Sequence, residues 1–218
     1  MRVRNRQTNK TYVHILLDKS GSMDPNRRAT VDAINEYIGK LKKDGNKYNF
    51  SLTFFDTELE KPYENVDIQS VGKLTEDLYR PDGMTALLDA VHQTISDTEE
   101  LIGSGAKSTG DKVLFVIMTD GMENASHEYN RTQVANLIKR LQEKEWTFIF
   151  LGANQDSWAT AQNWGISSMN ISNFNATNNG LRCAFNMMAS ATKGYSAGTS
   201  DPLAMFSTAD QQKLQETK

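Results

Sequence analysis

The chain has 218 residues, 38% of them hydrophobic, and a formal net charge of −3. That length suits one sizeable α/β domain and is short for two. Basic and acidic residues are interspersed, which argues against nucleic acid or an acidic membrane surface as partner, and no apolar run approaches a bilayer span. The single cysteine, Cys183, excludes an internal disulfide and, with no secretory segment at the start, points to a reducing, cytoplasmic compartment.

After a basic leader (Arg2, Arg4, Arg6, Lys10), the apolar run from Val13 to Asp18 predicts a buried strand. Val31, Ile34, Tyr37, Ile38 and Leu41 recur at helical spacing, and Asp44-Gly45-Asn46 stops that helix. Phe50 to Phe55 alternates as a strand, and residues 61–68 follow as an antiparallel edge strand, where Pro62 is tolerated. Leu87, Leu88, Val91, Ile95 and Leu101 mark the face of a central helix, and Val113 to Thr119 a continuous apolar strand. Val134, Leu137, Ile138 and Leu141 mark another helix, and Trp146 to Leu151 another strand. A short helix over 155–164, a last short strand over Ser168–Ile171 and a helix carrying Leu181, Phe185 and Met188 complete the core pattern. Ser207 to Asp210 opens either a terminal helix or a tail that folds on a partner. Strands alternating with helices predict a doubly wound, mostly parallel six-stranded sheet, with one antiparallel edge strand and helices on both faces. The expected division is a leader over 1–10, the domain over 11–195, and a C-terminal loop with a short helix or tail over 196–218.

Asp18-Lys19-Ser20-Gly21-Ser22 follows the first strand and clusters a carboxylate and two hydroxyls on one short loop. Such oxygens are what hard divalent cations take. Thr85 lies in Asp82-Gly83-Met84-Thr85, ahead of the central helix, and Asp120-Gly121 ends the strand beginning at Val113. Singly, each is an ordinary cap or turn. Together, in this order and context, they resemble the metal-ion-dependent adhesion site of von Willebrand factor A domains and integrin inserted domains, specifically small intracellular bacterial or phage proteins of that kind. The resemblance implies metal ligands at Asp18, Ser20, Ser22, Thr85 and Asp120. It also sets the first strand beside the fourth, so that Asp18 and Asp120 meet where the strand order reverses, beyond the strands' carboxyl ends.

The all-oxygen donor set favours Mg²⁺ or Mn²⁺ over Zn²⁺, and Ca²⁺ belongs to the same hard class. Two carboxylates just neutralise a divalent ion, and the resemblance implies that an open coordination position takes an Asp or Glu side chain of a partner protein. By the same resemblance, an AAA+ ATPase system is an expected source of that partner. Two further readings stay open: a Mg²⁺-dependent hydrolase or phosphoryl-transfer enzyme on a similar sheet, and a subunit whose metal only stabilises the fold. The first lacks a legible nucleophile and base, so the expectation is a binding module and not an enzyme. Met23, Met84, Met122 and Tyr129 are expected at the rim, Glu123 as a solvated loop charge, His127 at the surface, and His14 and His92 packed. Gly103 to Thr109 reads as a connection and not a phosphate loop, because it runs from helix to strand.

Overall fold

The computed structural model describes residues 9–103, 110–153 and 155–216. Arg2, Arg4 and Arg6 of the leader, and the connection after Gly103, lie outside the described residues. The first strand, β1 (Lys10–Asp18), is buried from Thr11 onward, which is why its sequence is a continuous apolar run with no alternation. A 3-10 turn over Gly21–Asn26 leads into α1 (Arg27–Lys42), which buries Val31, Ile34, Tyr37, Ile38 and Leu41 as its spacing predicts. The next strand, β2 (Lys47–Phe55), pairs antiparallel with β3 (Leu59–Asp67), the sheet edge. Two register shifts interrupt that ladder, and Pro62 falls within one of them, where its missing N–H costs no ladder bond.

The order then continues through α2 (Leu87–Gly103), β4 (Lys112–Thr119), α3 (Arg131–Gln142), β5 (Trp146–Gly152), α4 (Gln155–Asn163), β6 (Ile171–Asn173), α5 (Asn178–Ala197) and α6 (Thr208–Glu216). Six strands run β3-β2-β1-β4-β5-β6, and every pair but β2–β3 is parallel. Alternate strand residues feed two cores. Val13, Ile15, Leu17, Leu114 and Val116 pack with α1 and α5, while Leu16, Phe115, Ile117, Phe148 and Phe150 pack with α2 and α3.

Two local expectations need correction and one open alternative is decided. The last strand begins at Ile171, because Ser168–Asn170 forms a 3-10 turn in which the Asn170 amide donates to Pro202 O (2.8 Å) and its Oδ1 accepts from Met205 N (2.9 Å). On α2 the buried residue near the C-terminus is Ile102, and Leu101 is half-buried. Of the two alternatives for the C-terminal segment, the structure takes the helix: Ser207 and Asp210 cap α6 reciprocally, and Leu214 sits in the α1–α5 core.

His14, on β1, is buried between Thr53 Oγ1 on Nε2 and Thr98 Oγ1 on Nδ1, each at 2.8 Å. Burial, reinforced by the charge of Lys61, pushes its pKa down to about 3, with Asp97 acting in the opposite sense. Since the folded value lies below that of a free histidine, the unfolded chain takes up a proton that the folded chain refuses. The stability from this site is complete above about pH 6.5 and is lost as pH falls towards 3, the loss reaching about 5 kcal/mol at the acid end. Unfolding free energies in urea at neutral pH and at about pH 4.5 should therefore show a slope that His14→Gln reduces by about one proton. An unchanged slope in the variant contradicts this.

Candidate metal centre

The parallel neighbours β1 and β4 end side by side, with Leu17 opposite Met118. Asp18 and Thr119 follow directly, and Thr119 Oγ1 donates to Asp18 Oδ2 at 2.5 Å while accepting from Gly121 N at 3.1 Å. The other Asp18 oxygen accepts from Ser20 N (2.7 Å), which bends the chain back over the strand end. Ser20 Oγ lies 3.1 Å from Ser22 Oγ, which donates to Asp120 Oδ1 at 2.6 Å. A Cβ added at Gly121 would sit 2.6 Å from Thr85 Oγ1 and 3.3 Å from Asp18 Oδ2. Glycine is thus what lets the Thr85 hydroxyl and the Asp18 carboxylate approach the same stretch of main chain. All five predicted residues meet at one cluster, where the strand order reverses.

Main-chain bonds from three loops hold the cluster. Lys19 N donates to Phe55 O (2.6 Å), Gly21 N to Gly83 O (3.1 Å), and Asp82 N to Lys19 O (2.9 Å). Thr85 and Asn124 bond reciprocally, Thr85 N to Asn124 Oδ1 (2.9 Å) and Asn124 N to Thr85 O (3.1 Å). Tyr79, fully buried, donates its hydroxyl to Asp18 O at 2.7 Å. The Lys19 ammonium pairs with Asp56 (3.0 Å) and Glu60 (2.6 Å), pinning the first loop to the β2–β3 hairpin. Sequence reasoning missed Thr119, Tyr79, Asn124 and the Lys19 pairs. Of these only Thr119 carried a local signal, a hydroxyl directly before Asp120.

Glu123 departs from expectation. Its carboxylate accepts from Leu88 N (3.0 Å), Ala125 N (3.1 Å), Ser126 N (2.8 Å) and Ser126 Oγ (2.7 Å), so it caps the first turn of α2 and is not a solvated charge. In return Asp89, in that turn, accepts from the main-chain N–H groups of His127 (2.7 Å), Glu128 (3.1 Å) and Tyr129 (2.8 Å). Met23 also departs from the expected rim, being buried in the α1–α5 core. His127 is exposed, His14 is packed, and His92 stacks on Tyr129 at 3.7 Å.

Burial pushes both carboxyls above the usual range. At Asp18 the charge of Asp120 adds to the push, while hydrogen bonds from Ser20 and Thr119 oppose it; at Asp120 the bond from Ser22 opposes it. Among the described residues no three His, Cys, Asp or Glu side chains form a metal cluster. Two carboxylates and three hydroxyls fit a hard cation that keeps part of its coordination for water or a partner, and do not fit Zn²⁺.

A family model of the von Willebrand factor type A domain matches residues 13–194. The chain belongs to this family. No curated protein matches it by sequence. Solved structures share the fold. Proximal thread matrix protein 1 from the mussel byssus has TM-score 0.62 and 15% identity over 83% of this chain and 47% of that one. Manganese-loaded Plasmodium vivax TRAP protein has TM-score 0.56 and 15% identity over 78% of this chain and 70% of that one. The vWF domain of the type V pili tip protein Mfa5 from Porphyromonas gingivalis has TM-score 0.61 and 11% identity over 89% and 97%. This VWA chain thus spans about half the length (47%) of the mussel protein. VWA domains are generally interaction modules and commonly bind a divalent metal. Among the described residues no helix is long and apolar enough to cross a membrane.

The Glu123 cap yields a direct expectation. Glu123→Ala leaves the first-turn N–H of Leu88 with Ser126 Oγ (3.0 Å) alone and removes the acceptor of the Ala125 and Ser126 N–H groups, and should cost about 0.5–2 kcal/mol. His127→Ala, at an exposed neighbour, should stay within about 0.5 kcal/mol of wild type. Urea unfolding checks both, and equal effects would mean that the cap contributes nothing.

Proposed function

We propose that this VWA domain is a metal-dependent protein-binding module, in which a divalent cation held by Asp18, Ser20, Ser22, Thr85 and Asp120 recruits an acidic side chain of a partner. The observation that carries this reading is the meeting of these five oxygen donors at the switch point of the sheet. A bound Mg²⁺ or Mn²⁺ supplies positive charge that stabilises the two carboxylates in their ionised form. Two carboxylates neutralise it without surplus, so a further anionic oxygen is still attracted.

The surroundings support binding rather than turnover. Met84, at 55% exposure, adjoins Thr85; Met122, at 61%, follows Asp120-Gly121; Leu78, at 49%, adjoins Tyr79. These large apolar side chains flank the charged centre and offer a partner area to bury around its carboxylate. Both ring nitrogens of His14 are committed to threonine hydroxyls, so it does not serve the cluster as a base. By resemblance, the proposal extends to a cytoplasmic setting and to an AAA+ ATPase system as the source of the partner.

Calorimetric titration of chelator-treated protein with Mg²⁺ or Mn²⁺ should show a single site that is lost in Asp18→Ala. Thr85→Ala, which removes a neutral ligand, should weaken it roughly 10–100-fold. Partner capture should require the metal, fail with Asp18→Ala, and fall in a Met84→Ser, Met122→Ser double variant whose metal titration is unchanged. Metal binding by Asp18→Ala equal to wild type overturns the site. Metal-dependent turnover of a phosphoester or peptide, lost in that variant at unchanged folding, overturns the binding reading in favour of an enzyme.

A further inference from the structure

The chain contains three Asp-Gly pairs, Asp44-Gly45, Asp82-Gly83 and Asp120-Gly121. Their carboxylates have different occupations. Asp44 accepts from Asn46 N at 3.0 Å and Tyr48 OH at 2.5 Å, which turns it towards residues further along the chain. Asp120 accepts from Ser22 Oγ at 2.6 Å. Asp82 folds back on its own main chain and accepts from Gly83 N at 2.7 Å. Both residues of that pair are exposed, and Gly83 holds a left-handed φ of 74°. The Gly83 nitrogen is thereby kept beside the Asp82 carboxyl group, no side chain on Gly83 shields it, and both residues are open to solvent. Proximity of this kind turns a slow intramolecular reaction into a favoured one.

We propose that the Asp82-Gly83 linkage is a site of spontaneous isomerisation to isoaspartate, and that this modification disables the metal centre. The Gly83 nitrogen loses its proton and attacks Asp82 Cγ. A new N–Cγ bond forms, one carboxyl oxygen leaves as water, and a five-membered succinimide results. Water then opens the ring at either carbonyl. Attack at Cγ restores aspartate; attack at the main-chain carbonyl breaks its bond to nitrogen and leaves the chain linked through Cβ and Cγ. Water leaves and water returns, so mass is unchanged and no oxidant is involved.

The position gives the product its consequence. Asp82 N donates to Lys19 O at 2.9 Å and Gly83 O accepts from Gly21 N at 3.1 Å, so the two residues brace the loop that carries Ser20 and Ser22. The isomerised linkage inserts one more atom between these two bonds and places a free carboxylate where the peptide carbonyl stood. The braces can no longer both be kept, and Thr85, two residues on, moves with them. The isomerisation stands apart from the metal reading; only its effect on metal binding rests on it.

The test ages the whole protein for several weeks at physiological temperature and pH, folded and in urea, and maps isoaspartate at each Asp-Gly pair by peptide fragmentation. Each folded rate is divided by the rate of the same bond in urea, which removes the influence of neighbouring sequence. The ratio at Asp82 should exceed those at Asp44 and Asp120 several-fold, and Asp82→Glu, whose ring closure is far slower, should abolish that product alone. A ratio at Asp82 no higher than at the other two overturns the site. The modified fraction, separated and titrated with Mn²⁺, should bind many-fold more weakly than unmodified protein, and equal affinity overturns the disabling effect. If unmodified protein binds no Mn²⁺, the metal reading fails while the peptide map still decides the modification.

Discussion

The parallel pairing of β1 with β4, with Leu17 set opposite Met118, is the constraint on which the rest depends. It places Asp18 next to Thr119 and so within reach of the short Thr119 hydroxyl bond. It also sorts Val13, Ile15 and Leu17 into one core and Leu16 into the other. A slip of one residue would exchange the two faces and carry Asp18 away from its partners. Core packing and site assembly are therefore satisfied by the same register. The α2 face and the α1–α5 face both enforce it, since each would expose its apolar residues if the strand moved.

Burying two carboxylates beside each other is costly, and the chain offsets the cost with local donors. Ser20 N and Thr119 Oγ1 satisfy the two oxygens of Asp18, and Ser22 Oγ satisfies one of Asp120. Burial still pushes both groups above the usual carboxylate range. A cation at this point would be favoured by the same electrostatics that disfavour the bare pair. Around this centre the α2 terminus and the following loop are cross-tied, Glu123 bonding the helix and Asp89 bonding the loop. That tie, with the Thr85–Asn124 bonds, fixes where Thr85 stands relative to Asp120.

Most elements were legible because their signals are local. Apolar runs announced β1 and β4, which are buried on both sides, and helical spacing announced α1 and α3. The misplacement of the last strand has an equally local cause: Ser168 to Ile171 is rich in residues that suit either turn or strand. Asn170 is drawn into a turn by Pro202 and Met205, more than thirty positions away. The end of the chain was ambiguous for a similar reason. Its composition is polar, and among the described residues of α6 it is Leu214 that reaches the core.

By itself the sequence determined the family, the alternation of strands and helices, and the five oxygen-bearing residues at the ends of apolar runs. Those features need only short stretches of chain, because period and turn chemistry are read residue by residue. Tertiary structure decided which groups hold the five in place. Tyr79 reaches Asp18 across 61 positions and Thr119 reaches it across 101. Glu123 became a helix cap only because the loop after β4 packs on α2, and Met23 left the rim because the turn after β1 folds it into the core. Such partnerships depend on strand order and register, which bring distant positions together and leave no mark on the residues beside them.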